Sequence, residues 1–132
     1  MKRCVPCRGG VPPLSPDQAR ELFSMLAPGW EIVDDHHLRR EVRRKNFRQA
    51  LDLANRIGEI AEGQQHHPDL LVSWGRLTVT LYTHAVGDKS AGYVGGLHEN
   101  DFIMAARIDA LLESERPGGA TSASGGATPD SR

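Results

Sequence analysis

The sequence predicts an α+β domain of order αββαββα, a four-stranded antiparallel sheet with helices packed on one face. Three observations predict it. Apolar residues recur at helical spacing in three stretches, near 19–26, 47–61 and 102–112. Between these lie short runs in which apolar and polar residues alternate, as in strands half-buried against a core. Turn-forming clusters, Asp34-Asp35-His36-His37 and Gly75-Arg76, divide the runs into two hairpins.

Each element has a local reason. Residues 1–13, in which Arg8, Gly9, Gly10, Pro12 and Pro13 follow Cys4-x-x-Cys7, read as an irregular N-terminal arm. Ser15-Pro16-Asp17-Gln18 then reads as a helix start, with Ser15 as N-cap, Pro16 at the first position and Gln18 closing a capping box. Ala19, Leu22, Phe23 and Leu26 follow at helical spacing, and Pro28-Gly29 ends the helix. Trp30 and Ile32 alternate as a short strand, and Leu38, Arg40 and Val42 as its return. The second helix is expected from about Phe47 to Ala61, burying Phe47, Ala50, Leu51, Ala54, Ile57 and Ala61.

A second hairpin and a Gly-rich loop from Val86 to Gly96 lead to a last helix that begins near Glu99. Phe102, Ala105, Ile108, Asp109 and Leu112 are spaced along it, and Glu99 and Asp101 suit the positive end of its dipole. Past Arg116 the chain turns to Gly, Ala, Ser and Thr. The expected organisation is therefore an arm over 1–13, a domain over 14–115 and a disordered tail over 116–132.

Composition excludes several classes of function. With a net charge of −1, no global field favours nucleic acid or an acidic membrane. No apolar run reaches the length of a membrane span, and MKRCVPCRGG has no secretory apolar core, so a cytoplasmic location is expected. The two cysteines supply half of a tetrahedral zinc site, and no second Cys-x-x-Cys exists to complete it. Reduced thiols on the arm are the simpler reading; a metal completed by histidines or by a second subunit is the other.

Three of the six histidines, His66, His67 and His84, flank the second hairpin. A two-residue turn at Gly75-Arg76, with Gly in the first position, sets Trp74 opposite Leu77, Val72 opposite Val79 and Leu70 opposite Leu81, all apolar and so facing the core. On the other face that register sets His67 opposite His84, where directly opposed Cβ atoms lie roughly 4.5–5.5 Å apart. Pro68, which cannot donate to the ladder, is the weak point of the register. A metal site helped by Asp69 or Glu62, incidental surface histidines and an acid/base site all fit such a cluster. The last fits best, because histidine exchanges protons nearest neutral pH.

Glu62-x-x-x-His66-His67-Pro68, Trp74, Thr83-His84, Gly96-Leu97 and Asp101-Phe102, in this order, resemble the pterin-4a-carbinolamine dehydratase family over roughly residues 14–113. Gly29-Trp30 and Ala61-Glu62 also match its pattern. The resemblance implies an αββαββα domain that assembles as a homodimer or homotetramer. It implies a pterin substrate, the 4a-hydroxytetrahydropterin released by aromatic amino-acid hydroxylases, dehydrated to the quinonoid dihydropterin without metal or bound cofactor as a step of pterin recycling. His66, His67 and His84 are then the expected catalytic residues. His66 and His84 would do the acid/base work and His67 would hold the 4a-hydroxyl. Glu62, Pro68 and Asp101 are expected to bind substrate, the two carboxylates either by hydrogen-bonding the pterin or by orienting an imidazole. Trp74 matches an aromatic position of the family, although the register makes it core.

The sequence departs from the family pattern in three places. Sixteen residues separate His84 from Asp101, more than the family's usual spacing, so the 86–96 loop carries an insertion with Lys89 and Tyr93 on it. That loop is a candidate surface for a protein partner, a lid, or a tolerated insertion. His98 replaces a helix-capping Thr or Ser, and Gln65 replaces an acidic residue before the histidine pair. Some dehydratase-like relatives resemble this fold yet act in Rubisco assembly, and a vertebrate member binds a homeodomain transcription factor. An inactive assembly factor is therefore the alternative to the enzyme. The run Arg39-Arg40-Glu41-Val42-Arg43-Arg44-Lys45 reads as a solvated strand edge or as a partner surface.

Overall fold

The structure, a computed structural model, describes residues 2–4, 12–84 and 95–115. Cys7, most of the 86–96 loop with Lys89 and Tyr93, and the 116–132 tail lie outside the described residues. Within them the expected order holds: α1 (Pro16–Phe23), β1 (Trp30–Val33), β2 (His37–Arg43), α2 (Phe47–Gln64), β3 (Asp69–Ser73), β4 (Arg76–Leu81) and α3 (Glu99–Ser114). The four strands form one antiparallel sheet in the order β1-β2-β4-β3. β2 is thus a central strand.

Helix α1 starts as its sequence dictates. The Ser15 hydroxyl accepts the Gln18 N–H at 3.2 Å, and the Gln18 side chain accepts the Ser15 N–H at 2.9 Å. In the first hairpin Asp34 and Asp35 take left-handed φ values of 55° and 52°, which aspartate tolerates better than most residues. The His36 N–H closes the turn on the Val33 carbonyl at 2.9 Å, so His37 leaves the turn and pairs with Val33.

The second hairpin differs from expectation. Its two-residue loop is Trp74-Gly75, because Gly75 takes the left-handed conformation (φ 73°) in the second loop position rather than the first. Val72 therefore faces Leu77 and Leu70 faces Val79. A slip of two residues keeps every side chain on its own face. Leu77, Val79 and Leu81 are accordingly fully buried, as the alternation required. Trp74, however, moves from the strand to the hairpin tip, where it is 75% exposed and not a core residue. The tip is tied down by the Arg44 N–H, which donates to the Gly75 carbonyl at 2.9 Å.

The helices cover one face of the sheet. The core joins Leu38 and Val42 of β2 and the three β4 side chains to Leu53, Ile57 and Ala61 of α2 and to Phe102, Met104, Ala105 and Ile108 of α3. Burial of each large side chain is worth roughly 1.5–3 kcal/mol. Helix α2 buries Leu53 rather than Leu51 and leaves Phe47 half-exposed, so its stripe is rotated from the one expected. The basic run is not a solvated edge either. Arg40 donates to Asp109 at 2.7 Å, Arg44 to Glu115 at 2.7 Å and Arg39 to Glu31 at 3.1 Å. Asp109, the one charge in the apolar spacing of α3, also accepts Trp30 Nε1–H (2.8 Å) and the Ala27 N–H (2.9 Å), pinning the first hairpin to α3.

Candidate active site

The histidine pair is placed by the way α2 ends. Gln65 closes the helix in the left-handed conformation (φ 56°), and the next N–H, that of His66, returns to the Ala61 carbonyl at 3.2 Å. The chain reverses there, so His66 turns back under the helix. Pro68 withholds a ladder donor and the pairing of β3 begins one residue later, at Asp69. Thr83 is placed from the other side. Beyond β4 its N–H donates to the Gly96 carbonyl at 2.8 Å and its own carbonyl accepts the Gly96 N–H at 3.2 Å, which sets Thr83 beside the start of α3.

These segments meet at Asp101. Its side chain is fully buried in the first turn of α3. Oδ1 is 2.7 Å from His66 Nε2, and Oδ2 accepts the Thr83 hydroxyl at 3.0 Å and the His98 N–H at 2.9 Å. His98 caps the same helix, Nδ1 accepting the Asn100 N–H at 3.0 Å, so the imidazole takes over the work of the hydroxyl it replaces. With Asp101 as acceptor, His66 Nε2 carries a hydrogen, which leaves Nδ1, without a partner among the described residues, as the nitrogen that can exchange a proton. The side chain of His66 is only 11% exposed, so the ring is held in one orientation with one nitrogen available.

His67 and His84 are placed otherwise. His67 Nε2 is 2.6 Å from Glu62 Oε2 across the end of α2, with both side chains largely in solvent. His84 is exposed and its ring packs against Tyr82, centroids 4.5 Å apart. The expected pairing of His67 opposite His84 does not form, because the Trp74-Gly75 loop shifts the register and the ladder ends at Asp69–Thr80. Pro68 is half-buried between His67 and β3. Among the described residues no group of three His, Cys, Asp or Glu side chains is arranged to hold a metal ion.

The sequence reading gave Thr83 no role and did not place Cys4 beside this site. Thr83 was part of a motif without a role, yet it continues the alternation of Leu77, Val79 and Leu81 and so points inward; a polar residue at a core position implies a buried partner. Cys4, on the described part of the arm, donates its N–H to Gln64 Oε1 at 2.8 Å and its thiol to the Asn100 carbonyl at 3.6 Å. Burial, with a smaller push from Asp101 against the pull of Arg107, raises its thiol to about 11. The uncovered sheet face carries a separate depression of about 450 Å³ lined by Arg39, Glu41, Asp69, Leu70, Leu71, Arg76, Thr78 and Thr80, with none of the three histidines in it. No helix among the described residues is long and apolar enough to cross a membrane.

Residues 12–111 match the family model described as pterin 4 alpha carbinolamine dehydratase. A protein of Rubrobacter xylanophilus is 52% identical over 83% of this chain and 94% of its own, and one of Alkaliphilus metalliredigens is 45% identical over 82% and 90%. Both carry the name "Putative pterin-4-alpha-carbinolamine dehydratase". A crystal structure from Brucella melitensis, titled as a transcriptional coactivator/pterin dehydratase, superposes with a TM-score of 0.61 at 29% identity over 75% of this chain and 97% of that one. The chain belongs to the pterin 4 alpha carbinolamine dehydratase family.

Proposed function

We propose that this protein eliminates water from 4a-hydroxytetrahydropterin to give the quinonoid dihydropterin, by histidine acid/base catalysis. The observation that carries the reading is the buried Asp101 carboxylate at 2.7 Å from His66 Nε2, an acceptor that keeps a hydrogen on that nitrogen and orients the imidazole. Water leaves C4a as a poor hydroxide unless it is protonated, and a ring nitrogen must give up a proton as the C–O bond breaks. One protonated and one neutral imidazole meet both needs, each such group contributing roughly 10²–10⁴-fold. His66, acting through Nδ1, and His84 take these two roles. His67, backed by Glu62, holds the 4a-hydroxyl, and Pro68 lines the approach. Asp101, its oxygens already occupied by protein donors, serves the reaction through His66 and does not touch the pterin.

The relatives' shared name supports the same substrate class. With it go a role in recycling a pterin cofactor, a cytoplasmic location and assembly as a homodimer or homotetramer. The assembly-factor alternative gives no account of a buried carboxylate spent on orienting an imidazole. The test is dehydration of freshly generated 4a-hydroxytetrahydropterin, followed by ultraviolet absorbance, for the wild type and a His66→Ala, His84→Ala double variant. A rate well above background that vanishes in the variant is expected. A folded wild type giving only the background rate would sink the proposal.

A further inference from the structure

His66 is oriented by hydrogen bonding, but His84 has no hydrogen-bond partner among the described residues and is exposed. Something else must limit its rotamers if it is to exchange protons efficiently, since misplacement of a reacting group by about 1 Å can cost roughly 100-fold. The neighbouring ring supplies that constraint. Tyr82 contacts two imidazoles: His84 at 4.5 Å with the planes 54° apart, and His36 of the first hairpin at 5.1 Å with the planes 40° apart. A third side is closed by the backbone at Gly95, where an added Cβ would lie 3.1 Å from His36 Nε2 and 3.4 Å from Tyr82 Cδ2. Gly95 has φ 85°, and the Thr83–Gly96 bridge holds it in place.

Tyr82 is thus already engaged by two protein rings, both tilted against it rather than stacked. Those contacts favour a support over a substrate platform. We propose that Tyr82 is a positioning residue for His84, holding its imidazole by ring contact with His36 and Gly95 as the backstop. The proposal rests on the reading of His84 as an acid/base group. It makes the first hairpin, remote in sequence from the histidine motif, part of the site's scaffold.

The contact needs the ring and not the hydroxyl, so Tyr82→Phe and Tyr82→Leu separate the two. A ring pair of this kind biases a side-chain population by about an order of magnitude at most. Tyr82→Leu should therefore lower kcat about tenfold with KM little changed, whereas Tyr82→Phe stays within about twofold of wild type. Independently of activity, the carbon-bound ring protons of His84, assigned by their loss in His84→Gln, should be ring-current shifted in wild type and Tyr82→Phe and unshifted in Tyr82→Leu. Unchanged kcat in Tyr82→Leu, or an equal fall in Tyr82→Phe, overturns the proposal. An unshifted His84 in the wild type overturns the stack itself, even if Tyr82→Leu cannot be obtained folded. A wild type without dehydration defeats the function proposed for the site and with it the effect of Tyr82 on rate, while the ring shifts still decide whether Tyr82 holds His84.

Discussion

His66 and His67 are adjacent in the chain, and each sets Nε2 against a carboxylate at nearly the same distance, 2.7 Å to Asp101 and 2.6 Å to Glu62. The two pairs are otherwise opposites. The first is 11% and 0% exposed and its carboxylate accepts two further donors, whereas the second is 56% and 75% exposed and stands alone. Distance therefore does not set the worth of such a pair. In water the solvent competes for both partners and long side chains lose entropy on pairing, so exposed pairs contribute roughly 0–1 kcal/mol. In the interior the same contact fixes a tautomer, and removing one member strands the others.

The largest effect is expected at Asp101. Asp101→Ala leaves the Thr83 hydroxyl, the His98 N–H and His66 Nε2 without their acceptor, and should cost about 2–4 kcal/mol in urea unfolding. Asp101→Asn keeps the shape but offers an NH₂ group where acceptors are needed. It should unfold closer to wild type while losing about 100-fold or more in kcat, because the wrong nitrogen of His66 is held. Next comes Thr83→Val, which removes one hydrogen bond of the three and should cost about 1 kcal/mol, with a several-fold loss of rate from a looser dyad.

A smaller effect belongs to Cys4, which packs behind the same helix start. Because its folded-state value lies near 11 rather than the ordinary 9.0, the thiol's contribution is complete below pH 9 and is lost as pH rises through 11. Wild type should lose thermal stability across that window faster than Cys4→Ala, and equal slopes would remove the thiol from the account. The smallest effect is expected at Glu62→Gln: stability within about 0.5 kcal/mol of wild type, and a loss of rate under about tenfold.

The fold was legible because its signals are local. The Ser15 capping box, the alternation in β2 and β4 and the helical spacing of α3 depend only on residues a few positions apart. Register and burial at the second hairpin were not, because whether Gly75 occupies the first or second loop position depends on contacts beyond the hairpin, such as the Arg44 bond to its carbonyl from the β2–α2 link. Trp74 went wrong for the same reason. The candidate residues were readable as a motif, but their division of labour was not. Asp101, Thr83 and His98 converge only after β4 and α3 are packed, and nothing in the spacing tells Glu62 on the surface from Asp101 in the interior. His36 and Tyr82 come together across two hairpins, beyond the reach of any local pattern.

The central claim is that the buried carboxylate, and not the exposed one, governs the chemistry at the histidine pair. Single-turnover dehydration of 4a-hydroxytetrahydropterin by Asp101→Asn and Glu62→Gln, side by side with wild type and with unfolding curves for each, tests it most directly. The account predicts a loss of about 100-fold or more for Asp101→Asn against less than about tenfold for Glu62→Gln, both proteins folded. Equal losses, or a greater loss for Glu62→Gln, would contradict it and move the working imidazole from His66 to His67.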